Sequence, residues 1–470
     1  MNNNPTFILK EDNPSVISSV KSEIIGLSEQ RRSLVVTYLG GEDVVDSPLK
    51  IFVMAGQHGD EKYGRKAANR LITSLAMSFN IEFPLMRLAI LSDANPDGSY
   101  QKTRTNSIGT DLNRDHQRLD SEETRTIHSF VRSWRPDLVI DVHNYPSRSK
   151  HLLAKNLIHY DDIFLDIPTN PAANHPLDKD KINDLLGSVQ SDLKSLNFNC
   201  DRYVLVRPSG RVRHSTADVT DARNSLSLRY NTLTVLLEGR NPTRQEGQIG
   251  KEHIISAQYH ALYAILKWTH QHGDYFMHNK KGTPSEKDRV AIRSKYRQAD
   301  QPLKMNFKNS ITKRMDVVTL PNYAPDFQVT KYVELPAAYA IPLDKTKVIE
   351  ILRRHGFTYQ FSNASKVEQV EYYNIVQSVE PSASENRSKR KIVAVIKTEE
   401  KRLDKHAIFP VNQEGGHSLA VFLEPRSKYG LHKYNDLGLL ILPDSQYPIL
   451  RVLQSRLDMS YQKNISSSSK

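Results

Sequence analysis

Five short apolar runs constrain the fold more than any other feature of the chain. They are Ser33 to Leu39 (SLVVTYL), Leu49 to Ala55 (LKIFVMA), Arg87 to Leu91 (RLAIL), Asp137 to Val142 (DLVIDV) and Leu233 to Leu237 (LTVLL). Several are apolar at nearly every position, the pattern of strands buried on both faces. Between them lie stretches with helical spacing. Glu61 to Phe79 carries Leu71, Ile72 and Leu75 on one side, and Ser121 to Trp134 has Ser121 as its expected N-cap and Pro136 beyond its end. Strands alternating with helices predict an α/β domain whose mixed, mainly parallel sheet is flanked by helices.

The chain of 470 residues is long enough for two or three domains. The segment 278–302 (HNKKGTPSEKDRVAIRSKYRQADQP) is polar and weakly periodic and reads as a linker. Its boundaries predict a catalytic domain over 1–277 and a smaller α+β unit over 303–470. Within that second unit, Tyr332 to Ile341 reads as extended, Leu343 to His355 as a helix ended by Gly356, and Glu368 to Val379 and Lys391 to Thr398 as strands around the polar loop Ser382 to Arg390. The tail NISSSSK is expected to lack order.

A single cysteine, Cys200, rules out an intrachain disulfide. No basic segment followed by an apolar one opens the sequence, and no apolar run is long enough to span a bilayer, so the expectation is a cytoplasmic protein without membrane association. The net charge of +12 favours an anionic partner or substrate. The basic residues are dispersed and form no nucleic-acid-binding signature, so nucleic acid is not expected as a partner.

The chemistry is concentrated where strands end. Gly56-Gln57-His58-Gly59-Asp60-Glu61 directly follows the run IFVMA, and His143 follows DLVIDV. Active sites of open α/β sheets gather at the carboxyl ends of strands. An HxxE pair alone is weak, because such pairs also sit on solvated helix faces, and a lone histidine at a strand end is ordinary. Together, two imidazoles and a carboxylate form a three-ligand set that leaves a fourth position open, the arrangement of a catalytic rather than a structural zinc. Glu238 closes the run LTVLL, where a carboxylate is either functional or a buried partner of Arg240.

Between these lie Asn95-Pro96-Asp97-Gly98, Lys102-Thr103-Arg104 and Gly109-Thr110-Asp111-Leu112-Asn113-Arg114. With the ligand set, over about residues 45 to 245, they resemble the zinc carboxypeptidases of the carboxypeptidase A type. The resemblance implies one zinc ion per chain held by His58, Glu61 and His143, with Asp111 orienting His58. It implies Glu238 as general base, Arg104 as oxyanion stabiliser, Asn113 and Arg114 as the grip on a substrate's terminal carboxylate, and Tyr145 as a subsite tyrosine. The family's flexible tyrosine is either shifted here, with Tyr203 preceding Ser209-Gly210, or absent. The position that lines the family's specificity pocket falls on Arg213, which either faces solvent or selects an acidic side chain. PAAYAIP, ILRRHG and LEPRSKYGL resemble the C-terminal extension of some bacterial members.

The expected reaction is hydrolysis of a peptide or amide bond beside a free carboxylate, with such a peptide as the partner. A zinc deacylase of N-acyl amino acids and a catalytically silent module that binds peptide C-termini are the alternatives.

Overall fold

The computed structural model describes residues 20–41, 49–173, 175–278, 282–361, 367–379, 391–439 and 441–453. The expected loop Ser382 to Arg390 and the tail NISSSSK lie outside these. The chain divides into two compact units.

The first unit, residues 1–281 with 296–328, is built on an eight-stranded sheet. Its strands in chain order are β1 (Lys21–Leu27), β2 (Ser33–Leu39), β3 (Leu49–Ala55), β4 (Met86–Leu91), β5 (Leu138–Tyr145), β6 (Ile163–Asp166), β7 (Cys200–Arg202) and β8 (Leu233–Arg240). They lie in the order β1-β2-β4-β3-β5-β8-β6-β7. The central strands β4, β3, β5 and β8 are mutually parallel. The pairs β1–β2, β2–β4 and β6–β8 are antiparallel. The sheet is thus mixed and mainly parallel, as the apolar runs imply.

Helices cover both faces. They are α1 (Lys62–Leu75), α2 (Glu122–Trp134), α3 (Lys179–Ser195), α4 (Ala222–Tyr230) and α5 (Gly247–Gln271). Side chains alternate across a strand, so each central strand feeds two cores. Ile51 and Val53 of β3, Leu138 and Ile140 of β5, and Val235 of β8 join Leu71 of α1, Val189 of α3 and Ile265 of α5. Phe52 and Met54 of β3 and Val139 of β5 join Ile127 of α2 and Leu226 of α4 on the other face. Asp141 and His143 continue the series begun by Val139, so they point toward the α2/α4 face.

The polar segment 278–302 is not a free linker. Arg289–Arg297 is a strand with Val290, Ala291 and Ile292 buried, and the division between the units falls inside it. Residues 303–328 likewise group with the first unit, where Leu303–Asn309 pairs with the short strand Leu157–His159. The second unit, residues 282–295 with 329–470, is built on a largely antiparallel sheet. Its long hairpin joins Val367–Val379 to Lys391–Arg402. A helix, Thr346–Arg354, precedes Gly356, whose φ is +78°. At its centre a buried Arg451 pairs with Glu424, which also accepts from the hydroxyls of Tyr339 and Tyr373.

Candidate active site

β3, β5 and β8 all end at the same edge of the sheet, and the register sets Glu238 directly beside His143. His58 follows β3 on a tight loop. Gly56 there has φ +76°, in the left-handed region that glycine adopts without strain. Gly59 lies so close to Gly98 that a Cβ would meet its carbonyl carbon at 2.0 Å. Asn95 clasps the same loop. Its Oδ1 accepts from Gly98 N at 2.9 Å, and its Nδ2 donates to the Gln57 carbonyl at 3.0 Å. Asp97, fully buried, accepts from Ser28, Gln30, Arg32 and Ser107. The Asn-Pro-Asp-Gly element is therefore scaffold for the loop that carries His58.

His58, Glu61 and His143 converge. His58 Nδ1 lies 2.7 Å from Glu61 Oε1 and 3.2 Å from His143 Nδ1, which is itself 3.0 Å from Glu61 Oε2. All three are buried. The outer nitrogen of each imidazole faces another carboxylate. His58 Nε2 is 3.1 Å from Asp111 Oδ1, and His143 Nε2 is 3.0 Å from Asp141 Oδ1. Asn113 Nδ2 and Gln57 Nε2 also approach His143 Nε2, at 3.2 and 3.4 Å. These neutral amides are outweighed by the full charge of Asp141, since hydrogen bonds to an ionised partner are roughly twice as strong.

An ionised carboxylate only accepts, so Asp111 and Asp141 hold a proton on each facing Nε2, and in the neutral imidazoles each Nδ1 is left as a lone pair toward Glu61. Two lone pairs and a carboxylate aimed at one point repel one another unless a cation, or added protons, sits among them. The donor set of two imidazoles and one carboxylate, each imidazole backed by an outer acceptor, fits a divalent metal.

The titration behaviour has the same origin. Burial works against the charge of Glu61, but His143 and His58 hold its carboxyl down at about 2. Burial likewise opposes ionisation of Asp111, and His58, Arg104 and Arg114 overcome it. Burial would neutralise His143, yet Asp141 and Glu61 raise its pKa well above the usual imidazole range. His58 is raised as Asp111 and Glu61 outweigh its burial.

Glu238 is half-buried, and its carboxylate makes no hydrogen bond or ion pair among the described residues. The alternative partner Arg240 is bound to Glu246 at 2.9 Å and lies near Asp162. Burial pushes the Glu238 carboxyl up to about 7, with His143 and His58 pulling it down and Glu61 and Asp141 pushing it up. Arg104 is exposed above the centre, with Nε 3.0 Å from Asp111 Oδ2 and Nη1 3.8 Å from Glu61 Oε1.

Other expected residues sit differently. Asn113 Oδ1 accepts from Ala222 N at 2.9 Å, and its Nδ2 lies 3.2 Å from His143 Nε2. Arg114 is exposed and donates to the Asn113 carbonyl. Tyr145 is buried against Phe164, and its hydroxyl donates to the Asp161 carbonyl, so it packs and offers no free phenol. Arg213 is half-buried. Its guanidinium lies 4.5 Å from the centroid of the Tyr296 ring and donates to that tyrosine's hydroxyl, while its Nε is buried without a partner. Tyr203 packs on Phe164, 5.8 Å between ring centroids, and its carbonyl accepts from His214.

Three contributors were not evident from the sequence. Asp141 could have been found from its place two residues before His143, which sets both on one face of β5. Gln57 adjoins His58 but carries no metal-ligand signature. Tyr296 comes from the segment read as a linker, and nothing local marks it.

Parts of the chain are similar to known proteins. Residues 48–176 match the succinylglutamate desuccinylase/aspartoacylase catalytic domain. The chain is similar to carboxypeptidase 2 of Trichophyton rubrum, 23% identical over 213 residues that cover 43% of this chain and 40% of that protein. It thus spans well under half the length of this curated relative. Among solved structures, it is similar to a metallo-carboxypeptidase from Pseudomonas aeruginosa in complex with (2-guanidinoethylmercapto)succinic acid. That likeness has 19% identity and a TM-score of 0.41, and covers 54% of this chain and 65% of that one. A metallo-carboxypeptidase from Burkholderia cenocepacia gives 17% identity, a TM-score of 0.41, and coverage of 53% and 65%. No helix among the described residues is long and apolar enough to cross a membrane.

Proposed function

We propose that the protein is a zinc-dependent hydrolase that cleaves a peptide or amide bond next to a free carboxylate. The observation that carries this reading is the convergence of His58 Nδ1, His143 Nδ1 and the Glu61 carboxylate beside an unpartnered Glu238. A divalent ion held there would polarise the scissile carbonyl and make a water acidic enough to lose a proton near neutral pH. Glu238, with a pKa of about 7, is suited to take that proton and deliver it to the leaving amine. Arg104 is near enough to the ligands to face the developing oxyanion; one such donor is typically worth about 3–4 kcal/mol. Arg114, exposed and without a carboxylate bound to it, is the group for the substrate's own carboxylate, and Asn113 holds it in place.

Arg213 supports an acidic side-chain preference. It is half-buried, near Arg207 and Arg211, and has a tyrosine rather than a carboxylate as partner. An anion would complete its pairing.

A second reading, hydrolysis of N-acyl amino acids, is favoured by the match to the desuccinylase/aspartoacylase domain. The two differ in what lies on the acyl side of the bond. The purified, zinc-loaded chain is assayed on free-acid peptides, their C-terminal amides, and N-acetyl and N-succinyl amino acids. Free-acid peptides should be cut and their amides spared by a factor of about 100 or more, the loss of a charge-assisted pair. Turnover confined to the acyl amino acids would replace the peptidase with the deacylase. Equal cleavage of acids and amides would remove the carboxylate requirement from both.

A further inference from the structure

The sheet face that bears Asp141 and His143 is covered by α2 and α4, and most of that interface is apolar. One file of polar side chains runs through it. Gln57 Nε2 lies 2.8 Å from Asp141 Oδ1. Gln57 Oε1 lies 2.7 Å from His116 Nε2, His116 Nδ1 lies 3.1 Å from His128 Nε2, and His128 Nδ1 lies 3.0 Å from the Tyr230 hydroxyl. Asp141, Gln57, His116 and His128 are fully buried, and only Tyr230, at the end of α4, reaches partial exposure. Burying polar groups in an apolar interface is tolerated only when each is satisfied, and a fully connected file then specifies one arrangement.

The direction of every proton follows from the carboxylate. Asp141 accepts, so the Gln57 amide turns its N–H toward it and its oxygen toward His116. His116 must therefore carry its proton on Nε2. Burial keeps His116 neutral, with a pKa of about 4, so its Nδ1 is an acceptor and His128 donates from Nε2. The remaining nitrogen of His128 accepts from the Tyr230 hydroxyl. All the donors point toward the metal centre. Asp141 Oδ2 is buried with no hydrogen-bond partner, so the orientation of this carboxylate depends on what holds Oδ1.

We propose that Gln57, His116 and His128 are positioning residues for the metal centre, a one-way relay of buried donors that holds Asp141 and thereby the Nε2–H form of His143. His143 Nδ1 is then the ring nitrogen turned toward His58 Nδ1 and Glu61. This rests on the metal-site reading above.

Two measurements on the whole chain test it. In protein labelled with 15N-histidine, two-bond 15N–1H correlations read the tautomers, with His116→Gln and His128→Gln assigning the signals. Both imidazoles should carry a proton on Nε2, and a tautomer of either with the proton on Nδ1 alone overturns the relay. Zinc affinity is then measured by chelator competition. Gln57→Leu and His128→Leu should bind zinc about 10–100-fold more weakly, the usual cost of losing an outer partner. His128→Gln retains a donor in the place of Nε2 and should stay within about threefold of wild type. Equal affinities of wild type and the leucine variants, or equal losses in the leucine and glutamine variants, would reduce the file to packing. A wild type that fails to bind zinc would instead remove the metal-site reading, and the relay's purpose with it.

Discussion

Replacing Glu238 with glutamine should inactivate the enzyme and at the same time stabilise its metal-free fold. The carboxyl is pushed from its ordinary value of 4.5 to about 7 by burial and by its acidic neighbours. A rise of that size corresponds to about 3 kcal/mol of unfavourable interaction once the group is ionised. Its partial exposure screens some of this, so about 1–3 kcal/mol is the expected gain for Glu238→Gln. The sign depends on pH. Below about 4.5 the carboxyl is protonated in both folded and unfolded chains, and variant and wild type should unfold alike. As pH rises toward 7 the unfolded chain loses its proton first, and the folded state binds more protons than the unfolded. Wild-type stability therefore falls relative to the variant, and the gap is complete above about 7. Both tryptophans of the sequence, Trp134 and Trp268, lie in the first unit, so their fluorescence follows the right part of the molecule. Urea unfolding in the presence of a chelator at pH 4, 5.5 and 7.5 measures the gap. Adding zinc should narrow it, because the cation offsets the repulsion. Hydrolysis by the variant should fall by about 100-fold or more, as an amide cannot accept the proton. A variant less stable than wild type at pH 7.5, or a gap that does not change with pH, would refute the claim that this carboxylate is electrostatically strained.

Three further outcomes are expected. His143→Ala should lose bound zinc; full metal content by elemental analysis would contradict the ligand assignment. Gly59→Ala places a Cβ 2.0 Å from the Gly98 carbonyl carbon; backbone facing backbone cannot yield without moving the His58 loop. It should cost about 1–3 kcal/mol by urea unfolding and weaken zinc in a parallel titration. Arg213→Ala should abolish any preference for peptides ending in Glu over Phe, Leu and Lys; unchanged selectivity in kcat/KM would place the acidic pocket elsewhere.

The parts of the fold that were legible in the sequence are those whose burial is two-sided. The runs at β3, β4, β5 and β8 are continuous because each strand feeds a core above and a core below, so the apolar signal does not alternate away, whereas β2 alternates exposed and buried residues from Ser33 to Val36. Elements with mixed burial were missed. Helix α4, ARNSLSLRY, reads as polar, yet Arg223, Asn224, Ser225 and Ser227 are all buried. Arg223 is held by Asp166 at 2.6 Å, Asn224 Oδ1 accepts from Thr169 N and Asn170 N, and Ser225 donates to the His116 carbonyl. Tertiary partners satisfy these groups, and no local pattern announces them. Helix α5 fails as a signal for the opposite reason. It is buried around much of its circumference, from Ile254 and Ile255 to Trp268 and Thr269, and so lacks an amphipathic stripe. The segment 278–302 looked like a linker because charge dominates its composition, while Val290, Ala291 and Ile292 are few enough to be overlooked.

At the site, motif spacing singled out His58, Glu61 and His143, which the structure brings together, because all three follow strand ends closely in the chain. It could not weigh their electrostatic balance, and that balance governs what the site can be. Glu61, Asp111, Asp141 and Glu238 face two imidazoles and Arg104. With neutral imidazoles, Arg104 and the Arg114 that also acts on Asp111 still leave this group with a surplus of negative charge in a largely buried setting, which is costly without a counter-charge. Without a cation, protons supply it: His143 and His58 have raised pKa values, and Glu238 lies near neutrality. A divalent cation held by His58, Glu61 and His143 would supply the same charge, and with it bound the imidazoles would need no second proton and Glu238 would lie nearer its ionised form, in which it can act as a base. The strain on Glu238 and the fit of the ligands to a metal are thus one property of the site, visible only once four carboxylates from four separate stretches of sequence are brought together.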